Sequence, residues 1–514
     1  MQLSFFVRYF LIIIGLISVF ACVRARKATL IIPEDVMYAS RVNAFRSTHQ
    51  LGEWQKVLKE ELDLDLQADS IKRPMFLING KGYVFGEFMQ GSKNYTAFSI
   101  PLFNKRNFEK FIRKAIYKEP IKTYKKYKYI NKNKNLIAWS RGVLLMIDAH
   151  QAENELEAEK ILQKITDTPK SAALILKNPN FRKALKNDKD IALWMNMNNF
   201  ANIPEVKAFV KNIPFKDNYL HFQSNFDEGI VTANTEYFTS PELFEAYKNL
   251  FSGKINQRLI ENVPVASPST VLSSGISPKE LKVFLKDIEW TEKAENLVSS
   301  ITLTMDQFLE MVTGETVLAS KKLDLSALPD SLKDSKKYTS DLVMGFKLKN
   351  LFIYDSLMTT LKETGILEKK EGYSVFLDDL YLLRQDSLIY ITKNEGIKDD
   401  FLKNVKLENK QVLANITNKW FVFYADENIA KREMSQKSLV NSIAKAVIKG
   451  DKVKLQSATF HLETIGKDKK HIDGETIMLL QDKNANSLWA MLEILKEIVF
   501  QTKQRFDPNF FKEE

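Results

Sequence analysis

The sequence predicts an α+β fold of tandem repeated units, with mainly antiparallel meanders packed against helices. Three observations carry this expectation. Short runs alternate apolar and polar residues with period two, and turn residues separate them. Amphipathic stretches with apolar residues at helical spacing lie between these runs. The order then restarts about every 100 to 120 residues, a degenerate recurrence and not a strict solenoid period. Helices interleaved with antiparallel strands in this way indicate α+β architecture.

Taken in order, residues 28–45 read as an extended segment broken by Pro33, and 50–64 as a helix carrying Leu51, Trp54, Val57, Leu58 and Leu62. Residues 73–89 read as two strands around the turn Asn79-Gly80-Lys81-Gly82. A strand at 94–102 precedes a helix at 104–116, where Phe108, Phe111, Ile112 and Ile116 are in register. Residues 123–148 read as a hairpin turning at 131–135, closed by a helix at 152–167. The pattern restarts with a helix from 178 and an alternating strand through Ile191, Leu193 and Met195. A hairpin at 218–238 and a helix at 240–260 follow, the helix capped by Ser240 with Pro241 in its first turn. Residues 306–325 and 340–350 begin a further block, with a helix at 354–367 and strands over 373–392. The last block runs strand 419–426, helix 438–448, strands 452–465 and 474–482, and a terminal helix from 487. Segment 260–278, richest in Pro, Ser and Gly, is the best internal boundary. The expected division is therefore 33–170, 171–278, 279–408 and 409–514, preceded by a leader at 1–21 and a linker at 22–32.

The leader determines where the chain is expected to act. After Arg8 no charge occurs up to Ala21, and the apolar run is shorter than the roughly 20 residues of a comfortable membrane span. This is the pattern of a secretory signal peptide, an uncleaved anchor being the other reading. The single cysteine of the chain, Cys22, stands where the signal should end. Val19-Phe20-Ala21-Cys22 resembles the lipobox of bacterial lipoproteins, which implies cleavage before Cys22 and acylation of its thiol. Two or more acyl chains, at about 0.8 kcal/mol per buried methylene, hold a protein firmly on a bilayer. The expected partner is thus the membrane, through a lipid anchor at Cys22. By the lipoprotein resemblance, the absence of the acidic cluster that follows the cysteine in surface-exported lipoproteins implies the periplasmic face. Val23, in place of the aspartate that retains many lipoproteins in the inner membrane, implies the outer membrane, with the inner membrane as the alternative. With no second cysteine, the domain holds together without disulfides.

The formal net charge is +11 and hydrophobic residues make up 45% of the chain, which fits a basic globular protein and excludes a disordered one. Catalytic motifs are sparse. No Gly-x-Ser-x-Gly elbow occurs. Ser442 and Lys445 fit Ser-x-x-Lys without its companion elements, as expected of an exposed helix face. The histidines, His49, His150, His221, His461 and His471, show no metal-ligand spacing, so no metal or cofactor is expected. Asp482, Asn484, Asn486 and Glu493 imitate a calcium loop, but Ser487 stands where its turn needs glycine. One patch is distinctive. Residues 114–141 hold nine basic side chains against Glu119, with tyrosines interleaved. Within it Lys122, Tyr124, Lys125, Lys126, Tyr127, Lys128 and Tyr129 form a candidate site for an anionic ligand, by charge and stacking. The competing reading is an exposed hairpin whose lysines discourage edge pairing.

The stretches 31–45, 174–185, 190–200, 306–319 and 474–495 resemble a family of Bacteroidota lipoproteins, domain of unknown function 4836. That resemblance implies an exported lipoprotein of repeated α+β units and transfers no catalytic residue. The sequence therefore leads to a lipid-anchored envelope protein that is a non-catalytic binding or assembly module. Its expected partner is an envelope protein or an anionic glycolipid, not nucleic acid. The alternative is an envelope hydrolase assembled from distant residues, such as His150 or His461 with a carboxylate.

Overall fold

The computed structural model describes residues 28–43, 81–87, 95–102, 104–115, 119–132, 135–149, 155–186, 189–198, 216–250, 253–299, 303–321, 341–376, 380–414, 419–426, 455–463, 471–485 and 487. The chain packs as two compact units, Met1–Asn199 with Asp217–Asn225, and Phe200–Lys216 with Phe226–Glu514. Both mix helices with antiparallel sheet, as the α+β expectation requires. Cys22, Ser442, Lys445, His49, His150 and the helices expected at 50–64, 438–448 and beyond 487 lie outside the described residues.

The first unit contains β1 (Tyr38–Asn43), β2 (Lys81–Glu87), β3 (Tyr95–Pro101), α1 (Lys105–Ala115), β4 (Lys122–Tyr124), β5 (Tyr127–Lys132), β6 (Asn135–Ser140), β7 (Val143–Asp148), α2 (Glu155–Asp167), α3 (Leu174–Lys177), α4 (Pro179–Ala184), β8 (Ile191–Asn196) and β9 (Tyr219–Asp227). Its strands lie in the order β4-β5-β6-β7-β3-β2-β1-β8-β9, every neighbour antiparallel. Alternation along each strand sends side chains to two cores. On one face Phe85, Tyr127, Tyr129, Leu145, Ile147 and Trp194 meet Leu162 and Ile165 of α2 and Phe181 of α4. On the other, Ile130, Trp139 and Leu144 meet Phe108 and Ile112 of α1. Trp139 is fully buried, edge-on to Phe108 at 5.5 Å, and its Nε1 donates to Glu109 Oε1 at 3.1 Å.

Several local expectations need revision here. The single hairpin expected over 123–148 is a four-stranded meander, because tight turns also occur at Lys125-Lys126 and Arg141-Gly142. Lys81 and Gly82 open β2 and are not turn residues. In β8 the fully buried residues are Ala192 and Trp194, while Ile191, Leu193 and Met195 are half-buried. Segment 260–278 holds a strand, β11 (Thr270–Gly275), whose Val271 is fully buried.

The second unit adds β10 (Ile230–Phe238), α5 (Pro241–Tyr247), α6 (Gln257–Glu261), α7 (Pro278–Asp287), α8 (Thr291–Ser299), α9 (Met305–Met311), β12 (Val312–Ser320), β13 (Leu342–Leu348), α10 (Leu351–Glu363), β14 (Leu367–Lys369), β15 (Ser374–Phe376), β16 (Leu380–Gln385), β17 (Leu388–Thr392), α11 (Glu395–Leu402), α12 (Lys410–Ala414), β18 (Lys419–Asp426), β19 (Leu455–Glu463) and β20 (His471–Leu480). Ser240 caps α5 as expected, accepting from Leu243 N at 3.1 Å. The strand order is β14-β15-β16-β17-β13-β12-β11-β18-β19-β20-β10. From β14 to β19 the pairing order is the same as that from β4 to β9 in the first unit. In each, a four-stranded meander returns beside the third strand, and the chain then crosses to the free side of the first. The helices correspond too: α10 stands where α1 does, between the third strand and the meander, and α11 where α2 does, after it.

Two cores sandwich this sheet as well. Leu259 and Ile260 of α6, Ile397 of α11 and Val412 of α12 cover Val271, Val317, Val343, Tyr390 and Val422. Tyr354, Leu357 and Leu361 of α10 pack with α9 and Ile389 on the opposite side. Gly314 sits in a bulge of β12 at φ 88°, where a Cβ would lie 1.8 Å from Ile276 O. Only glycine fits there.

Replacing Trp139 with Ala removes a filled core site and strands the Glu109 contact, so it should cost about 3–5 kcal/mol. Denaturant unfolding of the full chain measures this. A loss under about 1 kcal/mol, the size expected of a surface change, contradicts the packing described.

Candidate functional site

The seven residues of the Lys/Tyr patch all fall on the β4–β5 hairpin, in the register Lys122↔Tyr129, Thr123↔Lys128 and Tyr124↔Tyr127. Lys125 takes φ 51° in the two-residue turn. That is the left-handed geometry a tight hairpin demands, usually supplied by Asn or Gly. The side chains then divide. Tyr127 and Tyr129 point into the core, 3% and 7% exposed. Lys122 Nζ meets Glu159 at 2.8 Å, and Tyr129 donates to the same carboxylate at 3.1 Å. Lys125 Nζ and the Tyr124 hydroxyl both reach Asp167, each at 2.7 Å. Lys128 pairs with Glu109 of α1 at 3.2 Å. Lys125 and Lys126 lie over the rings of Tyr124 and Tyr127 at 5.6 and 5.5 Å.

The hairpin is therefore latched to α2 and α1 by three carboxylates. Hydrogen bonds from Lys125 and Tyr124 hold the Asp167 carboxyl below its usual value. Burial pushes Glu159 upward, but its bonds from Lys122 and Tyr129 outweigh this and leave it low. In the second unit the equivalent helix contributes a cation over aromatic rings, with its carboxylate partners on the same helix. Lys398 of α11 reaches between Tyr373 and Tyr381, 5.4 and 5.3 Å from their ring centres, held by Glu395 at 3.2 Å and Asp399 at 3.1 Å.

A second constellation lies on β10, β20 and β19. Register sets Glu236 opposite Asp473, Phe238 opposite His471, and Asn234 opposite Glu475. Across the next ladder, Glu475 faces His461. Residues two apart share a face, so His471, Asp473 and Glu475 share a face with Glu236, Phe238 and His461. His471 Nε2 lies 3.0 Å from Asp473 Oδ1, and its ring stacks on Phe238 at 4.9 Å. His461 is buried, with Nε2 3.1 Å from Glu475 Oε2. Burial, reinforced by nearby Lys419 and opposed by Glu463, lowers His461 to about 4.

Glu236, Asp473 and Glu475 were not singled out from the sequence, and His471 stood there only among the histidines without metal-ligand spacing. The signal lay in "HIDGE", three titratable residues two apart on one strand. Of the calcium-like residues, Asp482 receives Asn484 N at 2.9 Å in a local turn. His221 is buried in β9. A cleft of about 160 Å³ is lined by Asn262, Arg384, Gln385, Phe401, Asn404 and Val405. That is below the usual size of small-molecule sites, roughly 300–1,000 Å³.

A family model described as "Domain of unknown function (DUF4836)" matches residues 76–431. The chain belongs to this family. The matched stretch includes the Lys/Tyr hairpin, its latch and Glu236, whereas His471 and Asp473 lie beyond it. No curated protein matches the chain. Two solved structures, "Structure of crystal form IV of TP0453" and "Structure of crystal form III of TP0453", align at 11% and 10% identity. They cover 43% and 44% of this chain and 84% and 88% of their own, with TM-scores of 0.26 and 0.27. Among the described residues no helix is long and apolar enough to cross a membrane.

The latch generates a pH-dependent prediction. A carboxyl held low in the folded state contributes stability that is full above its unfolded value and is lost as pH falls through the folded one. At pH 7, Glu159→Gln should raise the opening of the β4–β5 hairpin about fivefold, or ~1 kcal/mol for a half-exposed charged pair. Amide exchange at pH 7 reads this directly. The stability gap between wild type and variant should then close as pH falls below the ordinary carboxylate range. A gap that persists unchanged at pH 2 would refute the ionic latch.

Proposed function

We propose that the chain is an exported lipoprotein of a Bacteroidota-type envelope, acylated at Cys22 and facing the periplasm from the outer membrane. Its two sheet units are tandem copies of one α+β module that serves as a non-catalytic binding or assembly scaffold. The observation that carries this reading is the strand order built twice, with ion pairs holding the hairpin in one unit and a lysine over tyrosine rings in the other. Duplication with divergent surface chemistry gives one tethered protein two different faces for envelope components. The lipobox-like Val19-Phe20-Ala21-Cys22 and the family membership support the location.

An anionic glycolipid at the Lys/Tyr hairpin would compete with Glu109, Glu159 and Asp167 for the lysines. This favours an envelope protein as partner. The alternative, an envelope hydrolase, draws support from one observation: His461 Nε2 lies 3.1 Å from Glu475 Oε2, fourteen residues on in sequence and directly opposite in register.

Cys22→Ser should shift the protein from the membrane to the soluble fraction and leave its signal uncleaved or its N-terminus unacylated. Fractionation with mass spectrometry of the N-terminal peptide checks this. A wild-type protein beginning at Met1 with an unmodified thiol would overturn the proposed anchor. Crosslinking in intact envelopes should also enrich a defined envelope protein, and recovery of the chain alone would count against the scaffold role.

A further inference from the structure

We propose that Glu236, His471 and Asp473 bind a divalent transition-metal ion, with zinc the best match. Each offers one ligand atom, and the three atoms lie within 4.8 Å of one another. Two donors each about 2.1 Å from a tetrahedral zinc ion stand roughly 3.4 Å apart, so closing the site takes a contraction of up to about 1.4 Å. Side-chain rotations supply that, because the backbone is already in place. Glu236 and Asp473 are directly opposed in a nine-pair antiparallel ladder, and His471 follows two residues before Asp473 on the same face.

Two further features bear on ion binding. Like charges directly opposite across a ladder destabilise it, and a dication between Glu236 and Asp473 reverses that sign. The stack on Phe238 restricts the His471 ring, so the imidazole is orientated before an ion arrives. The donor set selects the metal class. One imidazole nitrogen with two carboxylate oxygens suits zinc, cobalt, nickel or manganese, whereas calcium takes six to eight oxygens. His471 and Asp473 are 24% and 26% exposed, which gives an ion access and leaves coordination positions for water or a ligand. The site is independent of the anchor and scaffold reading, because it needs only the β10–β20 pairing.

The test uses the full chain, purified in detergent, stripped with chelator and titrated with Co²⁺ followed by visible absorption and with Zn²⁺ by calorimetry. One ion per chain is expected, displaced by Zn²⁺ and not by a large excess of Ca²⁺ or Mg²⁺. Glu236→Gln, His471→Gln and Asp473→Asn should each weaken binding roughly tenfold or more. No saturable binding up to about 1 mM, a free energy near −4 kcal/mol, would overturn the proposal. So would wild-type affinity in all three variants. If the variants do not fold, X-ray absorption of the Zn²⁺-loaded wild type decides. One imidazole with carboxylate oxygens supports the site, and two or more imidazoles place the ion elsewhere.

Discussion

Each unit depends on one pairing problem solved the same way: a first strand flanked by the strand that follows it and by one that returns much later. β1 takes β2 on one side and β8 on the other, with Ala39 facing Phe85 and Trp194. β11 likewise lies between β12 and β18. Because the return follows a four-stranded meander and a helix, the side of the sheet beyond the first strand is fixed only when this long-range contact forms. Everything else follows from it. The crossover helices come to rest on one face, and the helix before the meander packs on the other.

This arrangement explains the placement of the polar residues. The meander is attached through its last strand, so its first hairpin projects and needs its own restraint. In the first unit the hairpin supplies cations and the helices supply Glu109, Glu159 and Asp167. In the second unit the helix supplies the cation, Lys398, and the hairpin region the aromatic faces. One mechanical requirement is met by ion pairs in one unit and by a lysine over tyrosine rings in the other, which leaves the two surfaces chemically distinct. The lysine-rich segment that invites a ligand reading is, in large part, this restraint.

Local periodicity made much of the secondary structure legible. The spacing of Phe108 and Ile112 marked α1, and Ser240 with Pro241 marked the start of α5. The turn at Lys125 was hidden because a lysine occupies a left-handed position that the sequence reader assigns to Gly or Asn. β8 presented two apolar faces, so alternation alone could not choose Trp194 over Leu193. Neither candidate site was readable as a unit. The carboxylates that bind Lys122, Lys125 and Lys128 lie in other elements of the chain, and Glu236 meets Asp473 only through register.

The central claim, that the first strand of each unit is shared between an early and a late partner, is open to one direct measurement. In a Cys22→Ser background, cysteines are placed in pairs at Leu272 with Phe423 and at Leu272 with Val422, and treated with a short bifunctional thiol reagent under native conditions. The register sets Leu272 opposite Phe423, while Val422 points to the other face, so the first pair should crosslink readily and the second poorly. Preferential crosslinking of the second pair, or none in either, would contradict the sheet order on which both units rest.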